Sequence, residues 1–80
     1  MRLDKYLKVS RIIKRRTIAN DACDAGRIMV NGKAARASYA VKTGDIITVN
    51  LGSTDHEYKV LQVAETVKKE QAGELYELIK

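Results

Sequence analysis

The 80-residue chain contains no Phe, no Trp and no Pro. A chain of this length buries about 60% of the surface that its unfolded form exposes, so it has room for one hydrophobic core. That core has to be built from Leu, Ile, Val and Ala, because the only aromatic side chains are four tyrosines. A hydrophobic fraction of 45% is ordinary for a folded domain and argues against wholesale disorder. We therefore expect a single domain spanning residues 1–80.

The first quarter of the chain predicts two short helices. Leu3, Tyr6 and Leu7 have the i, i+3, i+4 spacing of one apolar helical stripe, which places Tyr6 toward the core. A second helix is expected to begin at Thr17, whose hydroxyl can cap the first turn, and to end at Gly26, which favours the left-handed conformation. Its expected inner face consists of Ile18, Ala19, Ala22, Cys23 and Ala25.

The remaining residues predict a small, mostly antiparallel sheet. A strand at 27–30 leads into Asn31-Gly32, the strongest short signal for a tight hairpin turn, and Lys33 begins the returning strand. Further strands are expected at 46–49, after a Gly44-Asp45 turn, and at 58–63, after a loop at 52–55. Residues 75–79 fit either a strand or a short helix. The predicted fold class is α+β, with the two N-terminal helices packed on the sheet.

Positive charge is concentrated in the first half of the chain. Residues 1–42 carry 11 Lys and Arg against three Asp, a net charge of +8, whereas residues 43–80 have a net charge of −3. A generally basic surface would spread its charge more evenly. The asymmetry indicates contact with a phosphate backbone, which Arg can bind through a planar pair of donors that Lys lacks.

The residue types also distinguish between kinds of nucleic acid. Proteins that bind single strands stack bases on aromatic rings, and aromatic residues make up only 5% of this chain. A DNA-reading helix at 18–25 would carry Asp21 and Asp24 but no Arg or Lys. Structured RNA, contacted through its backbone, fits better than either.

Catalytic and metal sites find little support in the sequence. The single His56 and the single Cys23 are too few for a zinc site of the usual kind, and glycine-rich phosphate-binding motifs are absent. We expect His56 to be a solvated loop side chain and Cys23 a small buried one. No catalytic residue, cofactor or metal is therefore expected.

Cysteine content and hydropathy indicate where such a chain works. One cysteine cannot form an internal disulfide, which is typical of a reducing cytoplasm. No apolar run approaches the roughly 18 to 20 residues that a membrane helix needs. We expect a cytoplasmic protein with no membrane partner.

Four ordered blocks in the first half of the chain resemble the S4 RNA-binding domain, also called the alpha-L motif. The blocks are Arg2-Leu3-Asp4-Lys5-Tyr6-Leu7, Arg15-Arg16-Thr17-x-Ala19, Gly26-Arg27-Ile28-x-Val30-Asn31-Gly32-Lys33 and Val41-Lys42-x-Gly44-Asp45-x-Ile47. The whole chain is similar to the stand-alone, ribosome-associated heat-shock proteins that carry this domain. Within that group it is most similar to the bacterial ribosome quality control family called RqcP. The long basic C-terminal extension of the Gram-negative heat-shock relatives is missing.

The resemblance implies a small alpha-L fold with a core at residues 1–50 and a short strand-rich extension at 51–80. It also implies a function in ribosome quality control. Such proteins bind the large ribosomal subunit, its rRNA and the peptidyl-tRNA left after stalling, and they support RqcH while it adds alanine tails to the nascent chain. The expected RNA-binding residues, from the resemblance and the charge pattern, are Arg2, Lys5, Arg11, Lys14, Arg15, Arg16, Asn31, Lys33 and Arg36. We expect the protein to be a monomer.

Two other functions stay open at this point. The chain is also compatible with the RNA-binding module of an RNA-modifying enzyme, such as a pseudouridine synthase, although a starting Met1 and a plausible closing element favour a stand-alone protein. A ribosome assembly or regulatory protein would use the same fold and the same basic surface. Residue chemistry alone does not separate this last function from quality control.

Overall fold

The computed structural model describes residues 1–65 and 67–79. It has two helices, α1 (Leu3–Val9) and α2 (Arg16–Asp24), followed by strands β1 (Ile28–Val30), β2 (Lys33–Ala34), β3 (Ile46–Asn50), β4 (Asp55–Val60) and β5 (Tyr76–Leu78), with a 3₁₀ helix at Lys69–Glu74 before the last strand. The predicted α+β fold with two N-terminal helices is confirmed. In the described residues, no helix has the length and apolar character needed to cross a membrane.

The five strands form one antiparallel sheet in the order β2-β1-β3-β4-β5. The β1–β2 hairpin turns at Asn31 and Gly32, whose φ angles of 53° and 84° are those of the turn that this dipeptide favours. β3 pairs with β1 on one side and with β4 on the other. The strands from the second half of the chain therefore extend the sheet that the first half begins.

The core lies between the helices and one face of the sheet. Tyr6 is fully buried, and its hydroxyl donates a 2.7 Å hydrogen bond to the carbonyl oxygen of Leu75, which is 69 residues away in the chain. This bond attaches α1 to the segment just before β5. The other members of the buried cluster are aliphatic or small, as the composition predicts: Leu3, Leu7, Ile13, Ala19, Ala22, Cys23, Ile28, Val30, Ala37, Val41, Ile47, Val49, Val60 and Leu75.

The segment at 37–41 runs beside the start of α1. The backbone N–H of Leu3 donates to the carbonyl of Tyr39 at 2.8 Å, and that of Asp4 donates to the carbonyl of Ala37 at 3.2 Å. These bonds satisfy two N–H groups of the first helical turn, where the residue before the helix, Arg2, makes no side-chain capping bond. They also place Arg2 directly opposite the 37–41 segment.

Helix α2 begins earlier than the sequence predicts. Thr17 lies inside the helix, and the residue before the helix is Arg15, whose side chain makes no capping bond. The prediction of a Thr17 cap was wrong because tertiary contacts set the start of this helix. Arg16 and Asn20, one turn apart on α2, both contact the carboxylate of Asp4 in α1.

The inner face of α2 is narrower than expected. Ala19, Ala22 and Cys23 are buried, but Ile18 is 48% exposed and Ala25 lies beyond the last helical residue. With Ala19, Ala22 and Cys23 at i, i+3 and i+4, Ile18 falls on the flank of the helix. The small side chains of this face allow α2 to approach α1 closely.

Strand β4 lies three residues nearer the N-terminus than predicted and ends at Val60. Just beyond this end, the N–H of Leu61 donates to the carbonyl of Leu75, the residue before β5. His56, expected in a loop, therefore lies in a strand, with its side chain exposed. The segment at 75–79, for which the sequence left strand and helix open, contains β5.

Candidate nucleic-acid interface

The buried carboxylate of Asp4 joins the two helices. Its Oδ1 accepts a 2.8 Å hydrogen bond from the backbone N–H of Lys5, and its Oδ2 accepts a 3.2 Å bond from Nδ2 of Asn20 in α2. Burial by itself raises the pKa of Asp4, but hydrogen bonds from Asn20, Arg16 and the Lys5 N–H outweigh burial and hold that pKa below 3.8. Asp4 is therefore a buried anion at neutral pH.

Two arginines converge on this anion. Nε of Arg2 lies 3.2 Å from Oδ1 of Asp4, and Nε of Arg16 lies 3.4 Å from Oδ2. Both side chains remain half-exposed, at 51% for Arg2 and 47% for Arg16. Because Arg16 reaches Asp4 through Nε, its terminal nitrogens remain as donors for a ligand. A guanidinium held in this way loses less side-chain entropy on binding a phosphate than a free one does.

Three more cations lie in the connection between the helices. Arg11, Lys14 and Arg15 are all exposed. Arg11 has a left-handed backbone, with φ of 63°, which costs roughly 1–2 kcal/mol for a residue with a side chain. This turn ends α1 and reverses the chain, so that α2 packs back against α1.

A second buried carboxylate, that of Asp45, organises the hairpin. It accepts hydrogen bonds from Nδ2 of Asn31 (3.1 Å), the hydroxyl of Tyr39 (3.0 Å) and the backbone N–H of Lys42 (2.9 Å). Burial raises the pKa of Asp45, but the bonds from Lys42, Asn31 and Tyr39 lower it below 3.8. Oδ1 of Asn31 also accepts a hydrogen bond from the N–H of Ile46, so both polar atoms of this side-chain amide are bonded within the protein.

The predicted RNA-binding residues therefore stand in different environments. Arg2 and Arg16 share the carboxylate of Asp4. Lys5 pairs with the exposed carboxylate of Glu65, which offsets part of its charge. Lys33 and Arg36 are exposed beside the hairpin. The assignment of these residues to RNA binding stays a prediction.

A cleft of about 640 Å³ opens next to these last two cations. It lies between the β1–β2 hairpin and the segment that follows it. Its lining combines aliphatic, polar and cationic residues: Val30, Asn31, Lys33, Ala34, Ala35, Arg36, Ser38 and Tyr39. The sequence did not indicate this cleft, because its walls face each other only after folding.

The sequence also did not single out Asp4 and Asp45 as positioning groups. A signal was present for Asp4, which stands two residues from Arg2 and one from Lys5 within an otherwise basic stretch. An acidic side chain within a phosphate-binding region is expected to pair with a neighbouring residue of the fold, because an unpaired one would repel the ligand.

Cys23 and His56, the two side chains considered for catalysis or metal binding, show little sign of either role. Cys23 is buried, and burial, with the negative charges of Asp4 and Asp24 contributing less, raises the pKa of its thiol to about 11. A thiol with such a pKa is protonated at neutral pH and is a poor nucleophile. Within residues 1–65 and 67–79, no three His, Cys, Asp or Glu side chains gather into a metal-binding group.

Comparison with known proteins identifies the family. The S4 domain matches residues 1–47. The RQC P-site tRNA stabilizing factor of Halalkalibacterium halodurans is 51% identical over 80 residues, which is all of this chain and 91% of the relative. This chain belongs to that family. The factor of the same name from Bacillus subtilis is 50% identical over 80 residues, which is all of this chain and 93% of the relative.

A solved structure has the same fold as this chain. The trimeric structure of Vibrio cholerae heat shock protein 15 superposes with a TM-score of 0.90 and 28% identity, over 99% of this chain and 81% of that one. The resemblance of the sequence to the S4 domain and to the RqcP family is thus confirmed. The S4 match includes both buried carboxylates and every predicted RNA-binding residue.

Proposed function

We propose that this protein is a ribosome quality control factor that binds rRNA of the large subunit and the peptidyl-tRNA left on it after stalling. The observation that carries the proposal is the convergence of Arg2 and Arg16 on Asp4, in the half of the chain with a net charge of +8. Two guanidinium groups held side by side form a preorganised site for backbone phosphates. Full-length relatives that are named P-site tRNA stabilizing factors support the choice of tRNA as one ligand.

By holding the peptidyl-tRNA in place, the protein would support the addition of C-terminal alanine tails by RqcH. This role requires affinity and geometry rather than acid–base chemistry, which agrees with a protonated, buried Cys23 and an exposed His56. We propose that it acts as a monomer on cytoplasmic ribosomes, without an enzymatic activity or a cofactor. Residues 1–50 would contact the RNA, and residues 51–80 would complete the sheet beneath them.

Sedimentation of a tagged protein from cells tests the proposal. We expect it in the large-subunit fractions of a sucrose gradient, together with peptidyl-tRNA. Recovery on precursor particles that lack tRNA would instead favour a role in ribosome assembly. Recovery with modified RNA and no ribosomal particle would favour the module of an RNA-modifying enzyme.

A salt series on isolated large subunits tests the phosphate contacts themselves. Each contacted phosphate contributes a slope of about −0.7 to −0.9 in log affinity against log salt. With about four to six phosphates, a slope of roughly −3 to −5 is expected. A flat response would contradict binding through the basic surface.

A further inference from the structure

The cleft beside the β1–β2 hairpin has the composition of a nucleotide site. Val30, Ala34 and Ala35 supply aliphatic lining, while Lys33 and Arg36 supply exposed cations. Its volume of about 640 Å³ lies within the range of roughly 300–1,000 Å³ that small-ligand pockets occupy. Apolar surface next to positive charge matches a ligand with a flat base and an anionic phosphate.

Tyr39, which lines this cleft, is fixed at several points. Its hydroxyl donates to Asp45 at 3.0 Å, its N–H donates to the carbonyl of Arg36 at 3.0 Å, and its own carbonyl accepts from the N–H of Leu3. The ring is half-buried, so part of its surface remains open. A ring already held by its hydroxyl and its backbone loses little entropy when a base stacks on it.

Among the described residues, the other three tyrosines are engaged elsewhere. Tyr6 is fully buried in the core. Tyr58 and Tyr76 pack edge to face across β4 and β5, with ring centroids 5.2 Å apart. Tyr39 is thus the tyrosine that the fold brings next to exposed cations of the basic half.

We propose that this cleft binds one unpaired nucleotide of the RNA ligand, with its base stacked on Tyr39 and its phosphate contacted by Lys33 and Arg36. Unstacked bases in RNA loops and bulges are commonly bound on aromatic side chains in this way. The proposal rests on the proposed function, because it specifies one feature of the RNA that the basic surface binds.

The position of the cleft supports an RNA nucleotide over a free one. The wall formed by residues 37–39 is hydrogen-bonded to the first turn of α1, next to Arg2. A strand whose base enters the cleft would therefore continue toward the arginines at Asp4. Neighbouring phosphates would add contacts that a mononucleotide lacks.

The first test compares Tyr39→Leu with Tyr39→Phe in binding to isolated large subunits. Loss of one stacked base costs about 5- to 140-fold in affinity, so Tyr39→Leu should bind that much more weakly. Tyr39→Phe keeps the ring and should stay within about threefold of the wild type. Because neither change removes a charge, the salt slope should not change.

Tyr58→Leu is the matched control, since it removes a half-buried tyrosine ring from β4, away from the cleft. It should bind as the wild type does. Wild-type binding by a folded Tyr39→Leu would overturn the nucleotide site and leave the proposed function intact. Failure of the wild type to bind large subunits would instead reject the proposed function.

Ultraviolet crosslinking of the wild-type protein to large subunits provides a second measurement, which does not depend on the folding of a variant. Mass spectrometry should find a peptide containing Tyr39 that carries one nucleotide. Crosslinks found only on other peptides would overturn the proposal. Titration of the protein with AMP and UMP distinguishes an RNA nucleotide from a free one. We expect weak, millimolar binding of both mononucleotides. Micromolar binding that leaves RNA affinity unaffected would assign the cleft to a free nucleotide and overturn the proposal.

Discussion

The guanidinium of Arg16, in the first turn of α2, lies 3.4 Å from the carboxylate of Asp4 in α1. The same carboxylate contacts Arg2 at 3.2 Å. A buried anion beneath two half-exposed cations offsets their mutual repulsion, so the pair can form before any RNA binds. Asp4 thereby positions Arg2 and Arg16 for an anionic ligand, although it is itself an anion.

This arrangement predicts that Asp4→Asn lowers RNA affinity although it makes the protein more positive. Without the negative charge, Arg2 and Arg16 repel each other and lose their shared position. We expect several-fold weaker binding to large subunits and a loss of about 1–3 kcal/mol in the free energy of unfolding, because a buried hydrogen-bonded charge is removed.

Asp21→Asn is the control for this change, because Asp21 is exposed on α2 and the same charge is removed. It should bind RNA as well as the wild type or slightly better. Equal gains for both variants in filter-binding measurements would show that total charge governs affinity and would contradict a positioning role for Asp4.

The lowered pKa values of Asp4 and Asp45 predict a loss of stability in acid. Each carboxyl binds protons less readily in the folded state than in the unfolded state, so the unfolded state gains protons first as the pH falls. The stabilisation is fully present above the unfolded value near 3.8 and is lost as the pH falls through the lower folded value.

Urea unfolding between pH 7 and pH 2.5 measures this effect. We expect the free energy of unfolding to change little down to about pH 5 on account of these two groups, and then to fall. Asp45→Asn should be less stable at pH 7 and should lose less on acidification. The control is Asp55→Asn, at an exposed position on β4, whose stability should follow the wild-type curve. If Asp45→Asn lost as much stability in acid as the wild type, Asp45 would not contribute to the acid effect.

Arg11→Gly should separate stability from binding. Glycine adopts the observed φ of 63° without strain, so the free energy of unfolding should stay the same or rise by up to about 1 kcal/mol. RNA affinity should fall, because one exposed cation beside the helix pair is lost. Arg11→Lys keeps the charge and the strained backbone, and it should bind nearly as the wild type does.

Thermal unfolding and filter binding on the same preparations check both parts. Weaker binding together with reduced stability in Arg11→Gly would indicate that the arginine is needed for the fold rather than for RNA.

Local patterns predicted those elements whose cause is local. The spacing of Leu3, Tyr6 and Leu7 predicted the apolar face of α1, and the Asn31-Gly32 pair predicted the hairpin turn. The spacing did not predict the burial of Asp4, which is 2% exposed. The start of α2 and the exposure of Ile18 were predicted incorrectly. Arg16 is already helical and contacts Asp4, and Ile18 lies on the flank of the helix. Such contacts join residues far apart in the sequence, so a capping signal at Thr17 could not reveal them.

The candidate site shows the same division. Charge asymmetry and the S4 resemblance indicated which cations to consider. They did not indicate that the side-chain amide of Asn31 is hydrogen-bonded to Asp45 and Ile46, or that Lys5 forms an ion pair with Glu65. The cleft at Tyr39 depends on how one loop packs beside α1, which no short pattern in the sequence encodes.

Substitution of His56 and Cys23 tests whether the protein has a chemical activity. His56→Ala changes an exposed strand residue and should leave cellular function intact. Cys23→Ser places a hydroxyl in the buried face of α2 and should lower stability by about 1–3 kcal/mol without abolishing binding. Loss of function in a well-folded His56→Ala protein, measured by complementation, would overturn the non-enzymatic proposal.

Arg16→Ala distinguishes a positioned phosphate contact from general basicity. The Arg16 side chain is anchored at Nε by Asp4, so its terminal nitrogens can bind a phosphate at low entropic cost. Loss of such a charge-assisted contact costs on the order of 1.5–3 kcal/mol, or about ten- to a hundredfold in affinity. We expect Arg16→Ala and Arg2→Ala to fold and to leave the large-subunit fractions of a sucrose gradient.

Lys68→Ala and Lys69→Ala remove the same charge from exposed positions in the acidic half of the chain, and they should sediment with the large subunit almost as the wild type does. Arg16→Lys adds a finer comparison, because it keeps the charge but loses the Nε donor and the planar pair of terminal donors. Its affinity should lie between those of the wild type and Arg16→Ala. If all four alanine variants lost affinity equally, only total charge would matter, and the assignment of Arg2 and Arg16 to a specific phosphate site would fail.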